Sequence, residues 1–135
     1  MASDRLWGDK IHKTVILDSS AILMLFEFSI DLEKELTRLL GSYHIVIPTP
    51  IVRELEFMSE NGRGEKKTKA KASLKLIKKY DAINVDEKGG DDSILDLAKK
   101  INGIVVTNDR ELRNRLKKLS LSVIFLRSKE KLVME

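Results

Sequence analysis

The sequence predicts an α/β fold of three layers, in which helices cover both faces of a mainly parallel five-stranded sheet. Two observations predict it. Five short apolar segments rich in β-branched residues alternate with helical patterns along the chain, an order that requires crossover connections. The chain is also of a length, 135 residues, that fits one core and not two, with 42% apolar and 34% charged residues in a globular balance. A single domain is expected over 1–135, with tails at 1–12 and 127–135.

Residues 14–17, Thr-Val-Ile-Leu, read as the first strand, and Asp18, Ser19 and Ser20 can cap a helix over 21–28. A second helix is predicted over 31–40, with Leu32, Leu36, Leu39 and Leu40 on one stripe and Gly41 as its stop. Residues 44–47 form a second buried strand. Thr49 is then placed to cap a helix that has Pro50 at its first position and runs through Ile51, Leu55 and Met58. A loop over 61–64 precedes a lysine-rich helix reaching about Tyr80, followed by a third strand over 82–85. Gly89 and Gly90 precede a helix over 91–100, and residues 104–106 are the fourth strand. A last helix over 110–119 leads to a fifth strand over 123–126.

Composition removes several chemistries. Without cysteine there are no disulfides, thiolate nucleophiles, iron–sulfur clusters or cysteine zinc sites. The first ten residues place Asp4, Arg5, Asp9 and Lys10 in any apolar run, so neither a signal peptide nor a membrane span is visible, and a soluble cytoplasmic protein is expected. The net charge of +4 is unevenly placed. Arg63, Lys66, Lys67, Lys69, Lys71, Lys75, Lys78 and Lys79 stand against one acid, Glu65, so the remaining chain is mildly acidic. This pattern suits a polyanion held near an acidic site, or a solvated helix face.

In parallel α/β sheets the working groups gather beyond the carboxyl ends of the strands. Asp18 follows the first strand, Glu54 lies in the helix after the second, Asp91 and Asp92 open the helix after the third, and Asp109 follows the fourth. Each aspartate alone can be explained as a helix-terminal acid that complements free N–H groups and the dipole. Glu54 differs, since its helical neighbours Pro50, Ile51, Phe57 and Met58 place its carboxylate on an apolar face. Asp91 precedes Ile94, Ala98 and Ile101 on one stripe, while Asp92 points about one residue round and is the weaker candidate. Asn108 and Glu111 have capping-box spacing, which would leave Asp109 spare, and Thr107 at the strand's mouth can offer a hydroxyl to a water or carboxylate.

Carboxylates brought together repel at neutral pH and require a divalent cation, and oxygen-only ligands favour magnesium or manganese. His12 and His44 precede or begin strands, away from these strand ends, which argues against zinc and against a Ser-His-Asp triad. Carboxylates, metal and a basic neighbour suit phosphodiester hydrolysis. A haloacid-dehalogenase phosphatase would need an Asp where Ser20 stands, and a receiver domain would need its acid pair near the first strand. A P-loop protein would need a glycine-rich loop with Lys-Ser or Lys-Thr.

Four pieces in this order resemble the PIN-domain nucleases: Val-Ile-Leu-Asp-Ser-Ser-Ala at 15–21, Ile-Pro-Thr-Pro-Ile-Val-Arg-Glu-Leu at 47–55, Asp-Asp-Ser-Ile-Leu-Asp-Leu-Ala at 91–98, and Val-Val-Thr-Asn-Asp-Arg-Glu-Leu at 105–112. The resemblance implies the strand order 3-2-1-4-5 and a magnesium- or manganese-dependent endoribonuclease. Asp18, Glu54, Asp91 and Asp109 would be its catalytic and metal-binding cluster, supported by Ser19, Asp92 and Thr107. Ser20 stands where many members have Asn. The acid pair and the basic run at 113–118 look most like the branch of ribosomal RNA processing nucleases and their archaeal relatives, with VapC-type toxins as neighbours. RNA is the implied partner, held by Arg63, Lys66, Lys67, Lys69 and Lys71, with a homodimer and an antitoxin or ribosome-assembly protein as further candidates. A non-catalytic RNA-binding module of ribosome assembly is the alternative to an enzyme.

Overall fold

The computed structural model describes residues 13–86 and 89–135. Its elements follow in the order β1 (Lys13–Leu17), α1 (Ser19–Glu27), α2 (Leu32–Leu40), β2 (Tyr43–Pro48), α3 (Thr49–Asn61) and α4 (Glu65–Ile77). The chain continues through β3 (Asp81–Ile83), α5 (Gly90–Ile101), β4 (Ile104–Val106), α6 (Arg110–Lys118), β5 (Val123–Arg127) and β6 (Lys131–Met134). The N-terminal tail and His12 lie outside the described residues.

The sheet order is β3-β2-β1-β4-β5-β6, parallel throughout except for the β5–β6 pair. The predicted order 3-2-1-4-5 is therefore present, with a sixth strand added outside β5. Val15, Ile16 and Leu17 of the central strand are fully buried, as a strand covered on both faces requires. The chain winds outward from β1 to β3 and then returns to place β4 beside β1. That reversal leaves a crevice beyond the carboxyl ends of β1 and β4.

The sixth strand corrects the expectation of a tail over 127–135. Ser128 and Lys129 take positive φ values of 57° and 59°, the backbone of a tight primed hairpin turn, and the chain folds back on β5. Leu132 enters the core fully buried. Its N–H donates to Glu35 Oε1 at 2.8 Å and its carbonyl accepts from Arg38 Nη2 at 2.7 Å. Two α2 side chains thus occupy backbone groups that an edge strand would leave open to another chain.

Local caps hold two further corrections. Pro48, not Thr49, is the N-cap of α3, with no side-chain cap bond, because β2 runs to Pro48 and the helix starts directly after it. Asp109, not Asn108, caps α6: Asp109 Oδ1 accepts from Leu112 N–H at 3.1 Å, while Asn108 Oδ1 accepts from Leu126 N–H of β5 at 3.2 Å. Asp109 is therefore not spare. His44 pairs with Asp81 across β2 and β3 at 3.0 Å, near the amino ends of these strands and away from their carboxyl ends.

Candidate active site

The register of the two central strands builds the floor of the site. Leu17 of β1 pairs with Val106 of β4, so the next residues, Asp18 and Thr107, emerge side by side. Asp18 caps α1 and is only 4% exposed. Its Oδ1 accepts from Ala21 N–H at 2.7 Å and from the Ser20 hydroxyl at 2.8 Å, and its Oδ2 accepts from the Thr107 hydroxyl. Thr107 in turn accepts from Asp109 N–H at 3.0 Å, and Ser20 accepts from Asn108 N–H at 3.2 Å. Each hydroxyl spends its proton on Asp18 and so fixes the segment that leads into α6.

Burial is the largest influence on Asp18 and opposes its charge. The three donors favour the carboxylate, but burial outweighs them and, with the negative charge of Asp91, pushes the pKa up to about 6. Asp91 is also raised. Partial burial is the main cause, and Asp109 adds repulsion, which Arg115 opposes; Glu111 and Glu54 add smaller repulsions. Two acids at one mouth are thus held above the usual carboxylate range, a combination that concentrates at reactive sites.

A cleft of about 400 Å³ opens over these groups, lined by Asp18, Ser19, Glu54, Asp91, Asp92 and Arg115 with Ile51 and Gly90. It joins the start of α1, the first turns of α3, the first turn of α5 and the middle of α6. Asp109 and Thr107 do not line it. Asp109 acts on Asp91 through its charge, and Thr107 through its bond to Asp18.

Glu54 lies on the cleft wall but is exposed, which corrects the expectation of an apolar surround. Its neighbours Pro50 and Ile51 are buried, yet Phe57 is 66% exposed, so this stripe of α3 faces the opening and not the core. Of the basic residues expected to meet RNA, Arg63, Lys66 and Lys71 are exposed, and Lys67 and Lys69 are partly buried on α4. None of the five lines the cleft.

Two residues of the site were not among those expected to build it. Ser20 is a hydrogen-bond donor to Asp18, and its signal was its place directly after the Asp-Ser pair. Arg115 lines the cleft and donates to Asp92 Oδ1 at 3.0 Å. Its signal was the basic run at 113–118, which did not distinguish it from its neighbours.

The donor set is all carboxylate oxygen, which in kind suits a hard divalent cation. Among the described residues, however, no three His, Cys, Asp or Glu side chains are placed so that they could hold a metal ion. Hydrogen bonds fix the orientation of two of the acids: both oxygens of Asp18 and one of Asp109 accept from protein donors. The acids surround the cleft without converging, and mutual repulsion opposes closer approach. Asp18, Glu54, Asp91 and Asp92 are the carboxylates on the cleft wall.

A family model described as a PIN like domain matches residues 15–129. Ribonuclease VapC9 of Archaeoglobus fulgidus is 27% identical over 135 residues, which covers 100% of this chain and 98% of that protein. Ribonuclease VapC4 of Methanocaldococcus jannaschii is 32% identical over 120 residues, covering 86% of this chain and 92% of that protein. Among solved structures, the PIN domain endonuclease Utp24 is similar with a TM-score of 0.75 over 90% of each chain at 23% identity, a likeness of fold.

Proposed function

This chain belongs to the PIN-like domain family, and from that premise we propose that it is a magnesium- or manganese-dependent endoribonuclease. One observation carries the reading: a buried Asp18 and a partly buried Asp91, both above the usual carboxylate range, stand at one cleft with Glu54 on its wall and Asp109 beside it. The two ribonuclease relatives that span most of the chain support it.

In this reading Asp18, Glu54, Asp91 and Asp109 would hold the cation, with Ser19, Asp92 and Thr107 in support. A divalent cation held there would supply a lowered pKa for an attacking water and a positive charge toward the phosphodiester. The Thr107 and Ser20 hydroxyls fix the orientation of Asp18. Arg115 offers a guanidinium to a phosphate oxygen. The basic residues of α4 add affinity for the backbone without reading sequence.

Purified protein should cleave single-stranded RNA with Mg²⁺ or Mn²⁺ and stop in chelator. Asp18→Asn should abolish cleavage while the protein stays folded. Metal-independent binding with no cleavage in the parent would instead favour a non-catalytic RNA-binding module of ribosome assembly. Of the two cellular settings for an enzyme, RNA processing and toxin action, the VapC relatives favour the toxin. Growth arrest on expression, relieved by Asp18→Asn, is the expected sign. Absence of arrest favours a processing role.

A further inference from the structure

The opening at the acids does not end at Asp92. A second groove of about 570 Å³ between α5 and α6 shares Asp92 and Arg115 with the cleft and continues past Leu95, Asp96 and Lys99 to Lys118 and Leu119, so that three cations line it against two acids. A ligand leaving the acids along this side would meet Arg115 first and the two lysines beyond it.

The sequence of α6, Arg-Glu-Leu-Arg-Asn-Arg-Leu-Lys-Lys, carries five basic residues against one acid, and the structure divides them by face. Arg113 lies over the Phe125 ring at 3.8 Å, and Lys117 pairs with Glu135 at 3.0 Å, so both serve the sheet edge. Arg115 and Lys118, three residues apart, line the groove, and Lys99 on α5 lines it with them. Lys99 and Lys118 are exposed, and Leu119 is 44% exposed. The ion pair of Arg115 with Asp92 is wet, its side chains 42% and 56% exposed, so an incoming phosphate can compete for the guanidinium.

We infer that the α5–α6 groove is the path of single-stranded RNA on one side of the acid cleft, with Arg115 at the junction and Lys99 and Lys118 on the phosphates beyond it. The inference rests on the ribonuclease reading above and deepens it, because it assigns the strand to a surface distinct from the lysine-rich α4. Two features fit a nucleic acid strand: separated cations for the backbone, and the exposed, apolar Leu119 for a sugar or base. Contacts of this kind hold a strand without reading its sequence.

The test is the affinity of a labelled oligouridylate across a salt series, measured by fluorescence anisotropy in chelator so that cleavage does not intrude. Lys99→Ala/Lys118→Ala is compared with Lys13→Ala/Lys34→Ala, which removes the same charge from exposed positions outside the groove. Two lost phosphate contacts on a single strand should flatten the slope of log affinity against log salt by about 1.4. With equal affinity at about 1 M salt, that is a loss of roughly 25-fold at about 0.1 M. The control should keep the parent's slope. If the parent cleaves RNA and the groove variant still binds like the control, the groove assignment is wrong and the ribonuclease reading stands. If the parent neither binds nor cleaves RNA, both are wrong.

Discussion

The Thr107 hydroxyl donates to Asp18 Oδ2 across the β1–β4 seam while accepting from Asp109 N–H, so one buried threonine couples two of the proposed catalytic acids. The in-register pair Leu17 and Val106 makes this meeting unavoidable. Thr107→Val keeps the shape but removes both bonds, leaving a buried carboxylate oxygen and a backbone N–H without this partner. We expect a loss of about 1–3 kcal/mol in denaturant unfolding at neutral pH. Thr107→Ser, which retains the hydroxyl, should recover most of it.

Asp18 should make the metal-free protein less stable as pH rises. Its pKa is about 6 when folded against an ordinary aspartate value of 3.8, so between those values the folded state keeps a proton that the unfolded state has released. Stability is then fully present below about pH 4 and falls until about pH 6, by up to about 3 kcal/mol. In chelator, Asp18→Asn should remove this fall and melt above the parent at neutral pH. A variant that melts below the parent at neutral pH, with the same pH profile, would contradict it.

Capping and catalysis at Asp109 are separable. Asn caps a helix about as well as Asp, so Asp109→Asn should keep its stability and lose RNA cleavage. Asp109→Ala should lose cleavage and also about 1 kcal/mol of stability, read by thermal unfolding. Equal stability of the two variants would show that the bond to Leu112 N–H contributes nothing.

Leu132 tests the added strand. It is fully buried on β6, so Leu132→Ala should cost about 2–5 kcal/mol in denaturant unfolding. An unchanged midpoint would mean that β6 is not docked.

Five strands were legible because most of them are short runs of apolar residues, and Asp18 and Asp109 were legible because β1 and β4 lead directly into the starts of α1 and α6 that these acids cap. The sixth was not, since its turn uses Ser128 and Lys129 in place of the Asn-Gly pair that marks a primed hairpin, and only Leu132 of its residues is buried. Glu54 shows the limit of helical spacing: Pro50, Ile51, Phe57 and Met58 are its neighbours, but spacing does not say what covers them, and Phe57 turns to solvent. Asn108 and Asp109 show another limit, because either can cap, and the choice was made by Leu126 N–H on a distant strand. Arg115 was hidden for the same reason, its partner Asp92 lying on another helix.

Binding of Mn²⁺, followed by the loss of its free electron paramagnetic resonance signal at neutral pH, tests the central claim most directly. The wild-type protein should bind the ion saturably, and Asp18→Asn and Asp91→Asn should each weaken binding by at least about tenfold, the loss of one charged ligand costing about 1.4 kcal/mol or more. Saturable binding of equal strength in all three proteins, or none in the wild type, would contradict a cation site built by these acids.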